Sequence, residues 1–126
     1  MRWTVDTNVW IDAMAGESCA ENALKVATHD EWCGYSAISR LEVLSFSRLT
    51  EGEMAAFRTM LDQYVEVPID NDVIEEAARL RRLVKVKAPD AIVAATAVIR
   101  QATLITRNLD DFRRIPGLSS RSPDDF

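Results

Sequence analysis

Apolar and polar positions follow two rhythms along this chain, and the switch between them repeats. Residues 2–6 place Trp3 and Val5 around Thr4 and end on Asp6, the pattern of a short buried strand. From Thr7 the apolar residues Val9, Trp10, Ile11, Ala13 and Met14 return at helical spacing as far as Gly16. A second helix is predicted over 19–29, with His29 as a cation or surface residue at its end. Residues 32–38 read as the next strand. Ser39 and Glu42 then have the S-x-x-E spacing of a capping box, which predicts a helix starting there. Thr50 and Glu53 repeat the signal, for a helix running to about residue 63. A short strand follows over 64–69. Asp70 suits the N-cap of a helix over 71–84. Residues 85–88 connect to Pro89, placed at a first helical position. The run Ala91-Ile92-Val93-Ala94-Ala95-Thr96-Ala97-Val98-Ile99 is apolar on every side, so that helix is buried. A strand over 103–106, a polar loop over 107–112 anchored by Phe112, and an edge strand within 118–123 complete the series.

Short strands alternating with helices predict a parallel sheet covered on both faces, an α/β fold in three α/β/α layers. At 126 residues the chain has the length of one domain, 1–126. In such a sheet, strand C-termini and the helix N-termini that follow them share one edge, where ligands bind. Four acids occupy such places. Asp6 ends the first strand, Glu42 and Asp90 lie in first turns of helices, and Asp111, with Asp110 beside it, follows the last interior strand. Carboxylates gathered at one edge repel one another unless a cation sits among them. Oxygen donors suit Mg2+ or Mn2+, which keep waters and bridge to phosphates. Metal-assisted phosphodiester hydrolysis is the simplest chemistry such a set supports, because no Cys, Lys or Ser comes with a visible base. Each acid also has a plainer reading: Glu42 as a cap, Asp90 as a complement to the helix dipole, Asp110 and Asp111 as turn residues. Asp6, between Val5 and Val9, is the hardest to explain without a partner.

Charge sharpens this picture. The net charge of −5 argues against gross attraction to nucleic acid, but it is an average. Residues 1–78 hold 5 basic against 15 acidic side chains, and residues 79–126 hold 10 against 5. A phosphate-binding face can be built from the second part. Cys19 and Cys33, with no CxxC and no clustered histidine, read as reduced structural cysteines and fit a cytoplasmic protein. No apolar run reaches membrane-span length, and the chain enters a strand pattern without a leader.

Four segments now resemble the motifs of the PIN-domain family, in particular its VapC-type toxin ribonucleases. They are Val5-Asp6-Thr7-Asn8-Val9, Ser39-Arg40-Leu41-Glu42, the stretch Pro89-Asp90-Ala91-Ile92-Val93-Ala94-Ala95-Thr96-Ala97, and Leu104-Ile105-Thr106-Arg107-Asn108-Leu109-Asp110-Asp111-Phe112. They stand in family order and cover nearly the whole chain. The resemblance implies a PIN fold with a central parallel sheet and a Mg2+- or Mn2+-dependent endoribonuclease acting on RNA. It also implies a homodimer and a cognate antitoxin that blocks the site. Carried over, Asp6, Glu42, Asp90 and Asp111 are the metal-binding acids, and Asn8 and Thr106 support the metal or scissile phosphate. Asp110 and Asn108 compete with Asp111 for the fourth position. Arg107 either contacts a substrate phosphate or forms a surface ion pair. Trp10 is core, dimer contact or antitoxin groove. A PIN-fold RNA- or protein-binding module without catalysis is the alternative. A phosphohydrolase of the haloacid dehalogenase type, with Asp6 as nucleophile, is disfavoured because position 8 is Asn8 rather than an acid.

Overall fold

The structure, a computed structural model, describes residues 1–126. Five strands form one parallel sheet in the order β3-β2-β1-β4-β5, built from β1 (Arg2–Val5), β2 (Trp32–Ser36), β3 (Val65–Val67), β4 (Thr103–Ile105) and β5 (Ser120–Arg121). The helices between them are α1 (Thr7–Met14), α2 (Ser18–Thr28), α3 (Ala37–Leu44), α4 (Glu51–Leu61), α5 (Asn71–Leu83), α6 (Ala88–Ile99) and the short α7 (Leu109–Phe112). A 3-10 turn, Pro123–Asp125, follows β5. The α/β/α expectation holds. The polar loop expected over 107–112 closes into the single turn α7, with Phe112 1% exposed as its anchor.

Two hydrophobic cores lie on the two faces of the sheet. Trp3, Val5, Trp10, Leu24, Tyr35 and Phe57 pack into one, and Val73, Leu80, Ala94, Leu104 and Phe112 into the other. Successive strand residues point to opposite faces, and Leu104 and Ile105 accordingly enter different cores. Trp10 is core. It is fully buried and meets Tyr35 and Tyr64 edge-on, with ring centroids 5.5 and 4.9 Å away, so it is not available to a dimer partner or antitoxin.

Local chemistry sets the helix boundaries. Gly16, at φ 84°, ends α1 in a left-handed turn that a side chain would strain. Glu17 then caps α2, accepting from the N–H groups of Cys19 and Ala20. The Thr50–Glu53 capping box forms as expected, and Asp70 caps α5. The expected Ser39–Glu42 box does not form. α3 starts three residues earlier, at Ala37, and its cap is Ser36, whose Oγ accepts from the Ile38 N–H at 3.2 Å. Pro89 stands in the first turn of α6, at its second residue. His29 is the exposed C-cap residue of α2. Cys19 and Cys33 are free thiols, and burial pushes the Cys33 thiol up to about 12. No helix is long and apolar enough to cross a membrane.

Candidate active site

Register brings the first two site residues together. Val5 pairs with Ile105, so the next residues along the parallel strands, Asp6 and Thr106, lie side by side at the C-terminal edge. The Asp6 N–H continues the ladder to the Ile105 carbonyl at 3.0 Å. Asp6 also caps α1, its Oδ1 accepting from the Thr7 N–H at 2.9 Å. Its Oδ2 accepts from the Thr106 hydroxyl at 2.8 Å. The carboxylate is 7% exposed and Thr106 fully buried. Burial pushes the Asp6 pKa up; the two hydrogen bonds oppose the shift, and the nearby Asp90 and Glu42 add to it.

From Asp6 a hydrogen-bonded chain runs in both directions. Toward α3, the Thr7 hydroxyl donates to Glu42 Oε1 at 2.6 Å. Its single proton is thereby committed, so Ser39 donates to it, Oγ to Oγ1 at 2.9 Å. Toward α7, Thr106 Oγ1 accepts from the Asn108 N–H at 3.0 Å, and Asn108 Nδ2 donates to Asp111 Oδ2 at 2.8 Å. Asp6, Glu42 and Asp111 are thus linked through Thr7, Thr106 and Asn108. Thr7 and Ser39 are the links that motif reading passes over: Thr7 follows the acid without being charged, and Ser39 looks like a cap.

Asp90 faces this set from the first turn of α6. Desolvation raises its pKa, repulsion from Asp111 and Glu42 raises it further, and the Lys87 ammonium offsets part of the rise. Asp90, Asn108 and Asp111 line a cleft of about 520 Å³ together with the basic side chains Arg81, Lys85, Lys87 and Arg114. A second cleft, of about 490 Å³, opens beside Glu42 and is lined by Asn8, Ile11, Ile38, Leu41 and Phe46. Asn8 is exposed there, clear of the Asp6 hydrogen bonds.

Two sequence candidates turn elsewhere. Asp110 has a side chain 98% exposed, opposite Arg113 at 3.9 Å, while its neighbour Asp111 lines the cleft. Arg107 is clamped by three carboxylates, Asp12, Glu17 and Asp124. This is the ion-pair reading, not the phosphate contact. Glu17, Cys19 and Asp124 are the trio of acid and thiol ligand atoms lying within 4.8 Å of one another. Arg107 already pairs with both carboxylates of that trio, which reads as a structural clasp.

Asp6, Glu42, Asp90 and Asp111 form no ion pair within 4 Å, and Lys87 acts on Asp90 from farther off. Their donors are all oxygen, and Asp6 and Asp90 carry raised pKa values from burial and mutual repulsion. These donors are of the type a hard divalent cation takes, and its charge would reverse both effects; no three of their ligand atoms lie within 4.8 Å of one another, so binding would draw them together.

The PIN domain family matches residues 4–118. Ribonuclease VapC19 of Mycobacterium tuberculosis is 28% identical over 120 residues, which span 90% of this chain and 94% of that protein. A chain of a toxin–antitoxin complex from Klebsiella pneumoniae is 33% identical and superposes with a TM-score of 0.82, over 95% of this chain and 96% of that one. A chain of DNA-bound VapBC from Salmonella typhimurium is 20% identical, with a TM-score of 0.84 over 98% of both, a likeness of fold.

Proposed function

The chain belongs to the PIN domain family, and on that footing we propose that it is a VapC-type ribonuclease, the toxin of a toxin–antitoxin pair. It cleaves RNA phosphodiester bonds with Mg2+ or Mn2+ held by Asp6, Glu42, Asp90 and Asp111. The observation that carries this reading is the carboxylate set at one sheet edge, three of its acids linked by hydrogen bonds and none of the four in an ion pair. A divalent cation bound there would lower the pKa of an attacking water and offset charge on the leaving oxygen.

The residues have separate tasks in this reading. Thr7 and Thr106 direct the Asp6 and Glu42 oxygens they bond, leaving the remaining lone pairs free to bind. Asn108 holds Asp111 against the cleft. Asp90, which lines the cleft from the first turn of α6, is placed to accept a proton from the attacking water. Lys87, close enough to Asp90 to lower its pKa, can meet a phosphate oxygen.

The kinship with the toxin–antitoxin chain and the apolar cleft beside Glu42, with Leu41 and Phe46 mostly exposed, support a cognate antitoxin covering this edge. A homodimer acting in the cytoplasm belongs to the same reading. The test is incubation of the partner-free chain with RNA in chelator, and again after Mg2+ or Mn2+ is restored. Cleavage is expected only with metal. Cleavage that survives the chelator, or none with either ion, contradicts the proposal.

A further inference from the structure

The carboxylate edge stands between two clefts of opposite character. On the Glu42 side the lining is uncharged apart from that acid, with Ile11, Ile38, Leu41 and Phe46 beside Thr7, Asn8 and Ser45. On the Asp90 side four cations converge from separate segments: Arg81 at the end of α5, Lys85 and Lys87 on the α5–α6 connection, and Arg114 beyond α7. The ion pairs of the molecule use the N-terminus, Arg2, Arg40, Arg79, Arg107 and Arg113, so these four cations face no compensating carboxylate within 4 Å. The two arginines are aimed instead by main-chain carbonyls. Arg81 Nε donates to the Val86 carbonyl at 3.1 Å, and an Arg114 Nη donates to the Lys85 carbonyl at 3.2 Å. Each guanidinium keeps most of its five donors. A protein with net charge −5 cannot draw a polyanion by its overall field, so a local patch must do it.

We propose that Arg81, Lys85, Lys87 and Arg114 form the track for the sugar–phosphate backbone of a single RNA strand. The phosphates on one side of the scissile bond lie over these cations, and the strand leaves across the Glu42 side. This rests on the ribonuclease reading. The cations fix position along the strand without reading its bases, because phosphate contacts carry no sequence information.

The test is fluorescence anisotropy of a labelled single-stranded oligoribonucleotide with the full chain carrying Asp6→Asn, in chelator, over a series of KCl concentrations. Each of Arg81→Gln, Lys85→Gln, Lys87→Gln and Arg114→Gln is expected to weaken binding and to flatten the plot of log affinity against log salt by about 0.7. Lys25→Gln, in the cleft beside His29 and Tyr64, is expected to leave the slope unchanged. Lys85 and Lys87 make no side-chain hydrogen bonds, so their replacement tests the track even if the arginine variants disturb the loop. Slopes unchanged in all four variants, while the parent still cleaves RNA, overturn the track and leave the ribonuclease reading standing. A parent that neither cleaves nor binds RNA overturns both. Polyglutamate that binds with the same dependence on the four residues overturns the track in favour of an acidic peptide.

Discussion

A single carboxylate, Asp6, ends a strand, caps a helix and stands beside two other acids. These roles pull in different directions. The cap and the Thr106 bond favour its charge, while burial and its neighbours oppose it. Asparagine caps as well as aspartate and carries no charge. Asp6→Asn is therefore expected to raise the melting temperature of the metal-free chain by roughly 2–5 °C at neutral pH and to abolish any further rise on adding Mn2+. Scanning calorimetry reads both. A lower melting temperature than the parent's would show that burial and repulsion of the charge do not outweigh its hydrogen bonds. Arg107 offers a second test. Its three ion pairs tie β4 to the end of α1, the cap of α2 and the last turn. Arg107→Ala is expected to lower the melting temperature by about 2–6 °C, the modest sum of three exposed pairs, and an unchanged value would refute the clasp. The sequence left Arg107 between phosphate and ion pair because its partners are far apart in the chain, and local pattern does not bring them together. Asp6, by contrast, was legible from its neighbours alone.

The helices show where local signals succeed and where they mislead. Thr50–Glu53 is a capping box in sequence and in structure, whereas Ser39–Glu42 has the same spacing and is not one. Three residues separate the two partners of a capping box, but they also separate neighbours on one face of a continuing helix. Ser39 and Glu42 are such neighbours, and both turn toward Thr7. The distinction has a measurable consequence. Ser36→Ala removes the true cap and is expected to cost about 1 kcal/mol in denaturant unfolding. Ser39→Ala leaves the cap intact and acts on the Thr7–Glu42 bond, so it is expected to weaken Mn2+ affinity by about 10-fold. If Ser39→Ala leaves metal affinity unchanged, the link from Ser39 to Glu42 carries nothing. Strand positions were legible because buried parallel strands are short apolar runs between turn signals. α7 was not, because one turn of helix is too short to establish a period.

Across the whole molecule, the strand order gathers junctions remote in sequence at one edge, and alternation of strand and helix is enough to anticipate that the acids meet there. The cleft walls were less legible. Which loop acid faces inward depends on the turn of α7, which sends Asp111 to the cleft and Asp110 to solvent. The same edge fixes a pH dependence. The Asp6 and Asp90 pKa values lie above the ordinary 3.8, so at these two positions the folded chain holds protons that the unfolded one has lost. Their contribution to metal-free stability is then greatest below that value and falls as the pH rises through the raised pKa values, while Glu17, Asp30 and Asp124, with lowered pKa values, lose theirs in acid. A cation that binds the folded state restores the first contribution. Melting curves across pH that coincide with and without Mn2+ would count against the cluster. The most direct test of the central claim is the single-turnover rate of RNA cleavage by Asp90→Asn with saturating Mn2+, measured on protein whose melting temperature matches or exceeds the parent's. The rate is expected to fall at least about 100-fold. A folded Asp90→Asn protein that cleaves as fast as the parent would contradict the assignment of the site.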